Sequence, residues 1–304
     1  MKYIRLKAPA TTANVGPGYD IFSMALAKPY DEIEVSINNT KNIRIEISGD
    51  TQNIPVKVSD NTAGLALIEL FKRKKLSAGI SLKIHKRIFS GAGLGTTGAS
   101  AAAAIYGVNK LLKLGMDDNE LIEFARYGEI ASGGSPHADN VAAALLGGFV
   151  LIKSYNPIDV LKLNIPEFPV ILAVIRKSQR TTRGFITYEI GQEKLKEQMA
   201  RCARVINAVN TQDIAEFGDA VSVDYIAEPV RGAAIKEYKQ VKEQVLKAGA
   251  YGCNISGGGS SVFAICAPSL IKKIAGIMKK GFTANPNFHE VIVTSASNNG
   301  IVEI

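Results

Sequence analysis

The segment Gly91-Ala92-Gly93-Leu94-Gly95-Thr96-Thr97-Gly98 sets four glycines and two hydroxyls directly before an alanine-rich run that begins at Ala99. Glycine lets backbone N–H groups turn inward and lets an anion approach closely. A helix starting here adds unpaired amides and about half a positive charge. The chemistry implied is a phosphate cradle, and the plainer alternative is a flexible loop. A Walker A loop is excluded, because it needs Lys followed by Ser or Thr and the segment has no lysine. Gly93-x-Gly95-x-x-Gly98 has dinucleotide-fingerprint spacing, but that fold needs a second strand ending in an acid about 20 residues later. Asp117 and Asp118 stand at that distance and read as helix caps.

Glu129 is the next chemical residue. On a helix it shares the face of Ala125, Ile122 and Leu121, where a carboxylate is costly unless a cation meets it. The cation is either Arg126, three residues back, or a divalent ion shared with a loop hydroxyl and phosphates. Ser135-Pro136-His137-Ala138-Asp139-Asn140 follows as a polar turn between apolar segments, with His137 facing a site or serving structure. Near the start, Ala8 to Asp20 is dense in turn formers and small polar groups. There Asn14 and Asp20 are either site residues or turn residues.

The elements that must hold these residues follow from hydrophobic period. Alternation predicts strands over 2–8, 31–37, 42–48 and 80–86. Helical spacing runs from Thr62 to Lys75 and again over about 98–113. Asp117 and Glu120 form a capping-box pattern for a helix over 118–131. An apolar run covers 141–152 and ends near Tyr155-Asn156-Pro157, the expected domain boundary. Beyond it come a buried strand at 170–175, helices near 192–210 and 232–248, a cap at Gly249, a glycine cluster at 257–259 and a strand from Val262 to Cys266. Strands precede helices in the first quarter, so the class is α+β. Two domains are expected, 1–154 and 155–304.

Composition sets outer limits. The 304 residues are 46% hydrophobic and 21% charged, with a net charge of +8, and the sequence pI is near 9.2. Basic residues are scattered, which fits an anionic small molecule better than nucleic acid. Cys202, Cys253 and Cys266 form no CxxC pair, and only three histidines accompany them. A structural zinc site is therefore not expected, and reduced thiols fit a cytoplasmic setting. Residues 88–109 lack charge but are mostly Gly, Ala, Ser and Thr, a weak membrane signal. No membrane association is expected.

These pieces together resemble the GHMP kinases, whose three motifs correspond in order to 8–20, 89–99 and Ser256-Gly257-Gly258-Gly259-Ser260-Ser261. The strings ATTANVGPGYD (10–20), YGEIASGGSPHADN (127–140) and EPVRG (228–232) are most similar to the members acting on L-homoserine. The resemblance spans essentially the whole chain. It implies two domains of mixed sheets and helices, with the active site in the cleft between them. It also implies ATP and Mg2+ as cofactors, an amino-acid substrate phosphorylated on its hydroxyl as a step towards threonine, and a homodimer.

By resemblance, Thr97 and Glu129 would bind magnesium. Gly91 to Ala99 (Ala92, Gly93, Leu94, Gly95, Thr96 and Gly98 included) would wrap the triphosphate, with Asn140 on the nucleotide side. Asn61 would lie near the adenine and Asn14 near the acceptor hydroxyl. Asp20 would meet the substrate ammonium or, as a second catalytic reading beside Asn14, serve as the base, while His137 and Arg231 would complete the pocket with Arg231 on the carboxylate. The chain departs from the family pattern at Phe89, where Pro is usual, at Thr96-Thr97 for Ser-Ser, and at Ser260 for Pro. An Arg usually stands four residues after a Thr near 180, but Phe185 holds the place four after Thr181, which makes Arg183 the expected substitute. The readings that compete are a related kinase of another small alcohol and a noncatalytic binding module.

Overall fold

The architecture is described from a computed structural model, covering residues 2–52, 54–177 and 189–304. Among the described residues eleven strands and ten α-helices follow in chain order: β1 (Tyr3–Ala13), β2 (Phe22–Asn38), β3 (Ile43–Gly49), α1 (Thr62–Lys74), β4 (Gly79–Lys86), α2 (Thr96–Leu112), α3 (Asp118–Arg126), α4 (Ile130–Gly133), α5 (Asp139–Leu146), β5 (Phe149–Tyr155), β6 (Ile158–Leu163) and β7 (Pro169–Ile175). After them come α6 (Gln192–Thr211), α7 (Ile214–Val221), α8 (Glu228–Ala233), α9 (Tyr238–Lys247), β8 (Gly252–Ile255), β9 (Val262–Ile265), α10 (Ile271–Phe282), β10 (Phe288–Ser295) and β11 (Val302–Glu303).

Two sheets carry the molecule. The first runs β11-β1-β2-β4-β3, with β5 paired to the start of β2 and β6 beyond it. Among the described residues only β3 and β4 pair in parallel, Ile43 opposite Ile80, and α1 is the crossover that parallel neighbours require. The second sheet runs β10-β7-β9-β8 and is antiparallel throughout. This is the α+β arrangement that the order of elements implies.

The apolar runs explain the layers. Alternate residues of a strand face opposite ways, so Val170, Leu172 and Val174 of β7 join one core while Ile171, Ala173 and Ile175 join another. β7 is therefore apolar without alternation. α2 lies buried along Ala99 to Ile105, and its small side chains permit close approach to the sheet. A Cβ on Gly107 would stand 2.5 Å from Val35.

Several boundaries differ from the expected ones. The helix foreseen over 118–131 keeps its capping box at Asp117 and Glu120, but α3 stops at Arg126 and a 3₁₀ turn, Tyr127–Glu129, follows. The apolar run 141–152 is α5 and β5 separated by Gly147 and Gly148, both at φ 73°. The helix foreseen over 232–248 is two helices, α8 and α9. The turn at Tyr155-Asn156-Pro157 joins β5 to β6 within the first sheet, so the chain leaves that sheet after Leu163.

Candidate active site

The glycine-rich loop joins β4 to α2, and the rest of the protein holds its carbonyls. Thr11 N donates to Leu94 O (3.1 Å), Ser261 N to Ala92 O (3.1 Å) and Lys177 N to Gly91 O (3.0 Å). The Ser256 hydroxyl donates to Gly93 O (2.8 Å). Gly93 and Gly95 have φ of 76° and 68°. A Cβ at Gly93 would lie 2.5 Å from Ser256 O, and one at Gly95 would lie 1.9 Å from the Thr11 hydroxyl. Gly95 is also the N-cap of α2 and supplies no capping side chain. The first amides of this seventeen-residue helix therefore face the loop with no side-chain acceptor supplied by the N-cap.

The cleft over the loop has a volume of about 120 Å³, is open to solvent, and is lined by Thr96, Thr97, Glu129, Asn140, Lys177 and Gly258 together with the loop glycines. Thr96 turns its hydroxyl to Asp31 (3.3 Å). Glu129 is 4% exposed, and it reaches the cleft from the 3₁₀ turn rather than from the α-helical face expected. Arg126, the protein cation considered for it, pairs instead with Glu123 at 2.7 Å. Among the described residues no group of three His, Cys, Asp or Glu side chains could hold a metal.

Beneath the loop lies a buried ion pair, Lys86 to Asp31. Their side chains are 3% and 0% exposed. The Lys86 ammonium also donates to Thr96 O (3.0 Å) and the Ser100 hydroxyl (2.8 Å). Asp31 accepts from the amides of Arg87 (2.8 Å) and Ile88 (2.9 Å). The pair ties two strands to the first turn of α2.

Asn61 is the N-cap of α1 and accepts from the amides of Ala63 and Gly64, while its amide donates to Pro55 O at 2.7 Å. It lines a neighbouring shallow hollow with Ile47, Ile54, Pro55 and Ala131, and this hollow shares Ser90, Thr96 and Thr97 with the first cleft. Ala92 and Ala99 are fully buried behind the loop. Gly98 abuts Asn140, whose Cβ would be 3.1 Å from one added there. Asn140 accepts from the Thr11 hydroxyl at 2.6 Å.

The remaining polar residues gather on the other side of Gly257. The turn after β1 has Asn14 at φ 64°, Val15 at 44°, Gly16 at 72° and Asp20 at 57°, a left-handed cluster uncommon outside glycine. Asn14 accepts from the Asp20 amide (3.2 Å) and donates to Gly257 O (3.5 Å). Arg231, on α8, donates to the same oxygen at 2.6 Å and stacks over Tyr19. Asp20 lies 3.7 Å from His137. The structure thus brings Asn14, Asp20, His137 and Arg231 together. Arg183 lies outside the described residues.

Sequence reasoning missed Lys86, Asp31, Lys177 and the support of α8. One signal was present. Asp31 is in phase with Ile33 and Val35, and Lys86 with Ile80, Leu82 and Ile84, so each charge falls on a buried face. The amide network behind α8 had no such mark.

Comparison with known proteins agrees with this geometry. Residues 61–148 match the GHMP kinases N terminal domain and residues 205–284 the GHMP kinases C terminal. The chain is 37% identical to the homoserine kinase of Methanococcus vannielii over 283 residues, 92% of this chain and 93% of that protein. It is 36% identical to the homoserine kinase of Sulfurisphaera tokodaii over 266 residues, 84% of this chain and 85% of the relative. The crystal structure of homoserine kinase from Cytophaga hutchinsonii superposes with a TM-score of 0.90 at 34% identity, covering 100% of this chain and 98% of the other.

Proposed function

The chain belongs to the GHMP kinase family, and we propose that it is a homoserine kinase, moving the ATP γ-phosphoryl group to the side-chain hydroxyl of L-homoserine. The observation that carries this reading is the convergence on Gly257 O. Arg231 and Asn14 meet there, Asp20 and His137 stand beside them, and Gly258 and Gly259 open on the phosphate cleft. An amino acid needs both signs of charge, and this pocket offers them next to a place for a triphosphate. Arginine suits the carboxylate because its fork binds two oxygens.

In the reaction the bond from the γ-phosphorus to the bridging oxygen breaks and a bond to the homoserine oxygen forms. The hydroxyl proton passes to an oxygen of the transferred phosphoryl group or to water, and ADP departs. Such transfer runs mainly on positioning and charge stabilisation. Asn14 orients the hydroxyl, Asp20 holds the ammonium, and the loop amides take phosphate charge. A buried carboxylate and a hydroxyl opening on one cleft suit Mg2+, which accepts few protein oxygens beside phosphates. Thr97 and Glu129 would hold it, and it would draw charge from the phosphates. Lys177 adds a cation at the cleft wall, and the hollow beside Asn61 receives the base. Three unpaired cysteines fit a reducing compartment such as the cytoplasm, and among the described residues no helix is long and apolar enough to cross a membrane.

The test is coupled ADP release with Mg-ATP and L-homoserine beside mevalonate, L-serine and L-threonine, with the product weighed by mass spectrometry. Homoserine-dependent turnover with the mass of one added phosphoryl group is expected. Turnover of another alcohol with silence on homoserine would overturn the assignment.

A further inference from the structure

Among the described residues, Gln198 is the polar side chain that α6 buries, at 2% exposure. A buried amide must place its two donors and its acceptor, and this one spends them on two different parts of the pocket. Its Nε2 donates to Pro17 O at 2.7 Å and to Asp224 Oδ1 at 2.9 Å. Its Oε1 accepts from the Tyr225 amide at 2.7 Å. Pro17 lies in the middle of the turn that presents Asn14 and Asp20. Asp224 gathers the amides of Ile226 (2.8 Å), Ala227 (3.1 Å) and Glu228 (3.1 Å), and so fixes the start of α8, which presents Arg231. The Cys202 thiol, four residues along α6, reaches the same Pro17 oxygen at 3.3 Å.

The turn and α8 belong to different halves of the chain, and they also meet at Gly257 O and where Arg231 lies over the Tyr19 ring. We infer that Gln198 is a positioning residue. It sets the separation between Arg231 and the Asn14–Asp20 pair, and so selects the acceptor by the length between its charged groups and its hydroxyl. The inference rests on the homoserine kinase reading of this pocket. Reacting groups tolerate little misplacement, about 1 Å costing on the order of a hundredfold, so a linker this direct governs which alcohol is aligned.

The experiment uses Gln198→Met, which keeps the bulk and loses every hydrogen bond, and Gln198→Glu, which keeps the acceptor for Tyr225 and loses both donors. KM is measured for homoserine and for ATP, with turnover on L-serine, one methylene shorter. In both variants the homoserine KM should rise roughly tenfold or more while the ATP KM stays within about twofold. The preference for homoserine over serine should fall by roughly fivefold or more. A homoserine KM within about twofold of the parent, or homoserine and ATP constants rising together, would overturn the inference.

Hydrogen exchange on the unaltered protein gives a reading free of any folding defect. Homoserine should slow the amides of Gly18 and of Tyr225 and Ile226 together, whereas slowing confined to the 14–20 turn would refute the link. Silence of the unaltered enzyme on homoserine would count against the functional reading alone, and the same comparison of constants would then be made with the alcohol it does turn over.

Discussion

Lys86→Met tests the support beneath the phosphate loop. The substitution removes an ammonium that is 3% exposed from a carboxylate that is 0% exposed, and it withdraws the donors held by Thr96 O and the Ser100 hydroxyl. Breaking a buried pair by deleting one partner costs about 3–5 kcal/mol, because the other charge stays buried. Unfolding entropy is about 2.1 cal/mol/K per residue, or roughly 0.6 kcal/mol/K for a chain of this length, so a cooperative transition should fall by about 5–8 °C. Calorimetry of Lys86→Met beside Asp31→Asn/Lys86→Met isolates the charge, since the asparagine keeps an oxygen for the Arg87 and Ile88 amides. The double variant should recover at least about half of the loss. The single variant should also raise the ATP KM several-fold, because the first turn of α2 loses its anchor. A single variant that loses under about 1 kcal/mol, or a double variant less stable than the single, would refute the account.

Three further outcomes follow from the site. Glu129→Gln should raise the magnesium requirement about tenfold or more and lower kcat, as read by titrating Mg2+ at saturating ATP. Arg231→Met should raise the homoserine KM about ten- to a hundredfold, from the roughly 1.5–3 kcal/mol of a charge-assisted hydrogen bond, with the ATP KM nearly unchanged. Burial pushes the Cys202 thiol up from 9.0 to about 11, so at pH 8 it should react with a thiol reagent about a hundredfold more slowly than an ordinary cysteine. The sign of the linkage is that folding favours the protonated thiol. Its stabilising share is complete below the ordinary value and is lost as pH rises through about 11.

The cradle was legible because its physics is local. Positive-φ glycines before a small-residue helix need no tertiary information, and Gly93 and Gly95 take those conformations. The capping box at Asp117 was legible for the same reason. α2 was expected from about residue 98 but starts at Thr96, because Gly95 rather than a polar side chain caps it. Glu129 was read through helical spacing, yet the chain tightens into a 3₁₀ turn, and the side chain is buried by the packing of α1 and α2 around that turn rather than by period alone. The gathering of Asn14, Asp20, His137 and Arg231 was foreseen only through family likeness. Their meeting point is a main-chain oxygen more than twenty residues from Arg231 in sequence, and no local pattern announces such a contact. Gln198 was unreadable for a related reason, since an amide on a largely polar helix looks solvated until the partners from Pro17 and Asp224 are in place.

The reliance on main-chain atoms around residues 256–261 bears on how this protein tolerates sequence drift. Gly257 N binds Ala13 O, Ser261 N binds Ala92 O, and Gly257 O receives Asn14 and Arg231. One of the links to this segment, the Ser256 hydroxyl, belongs to one of its own side chains. Every residue except proline offers the same amide and carbonyl, so exchanges that preserve the local backbone and avoid proline at the donating positions leave the junction of the two halves intact. The departures from the family pattern at Thr97 and Ser260 sit beside that junction without supplying any of its links. Mutational scanning of this stretch and of the phosphate loop should therefore show wide tolerance at Ser260 and almost none at Gly93, Gly95 or Gly257, where a Cβ or a lost positive φ would displace the backbone itself.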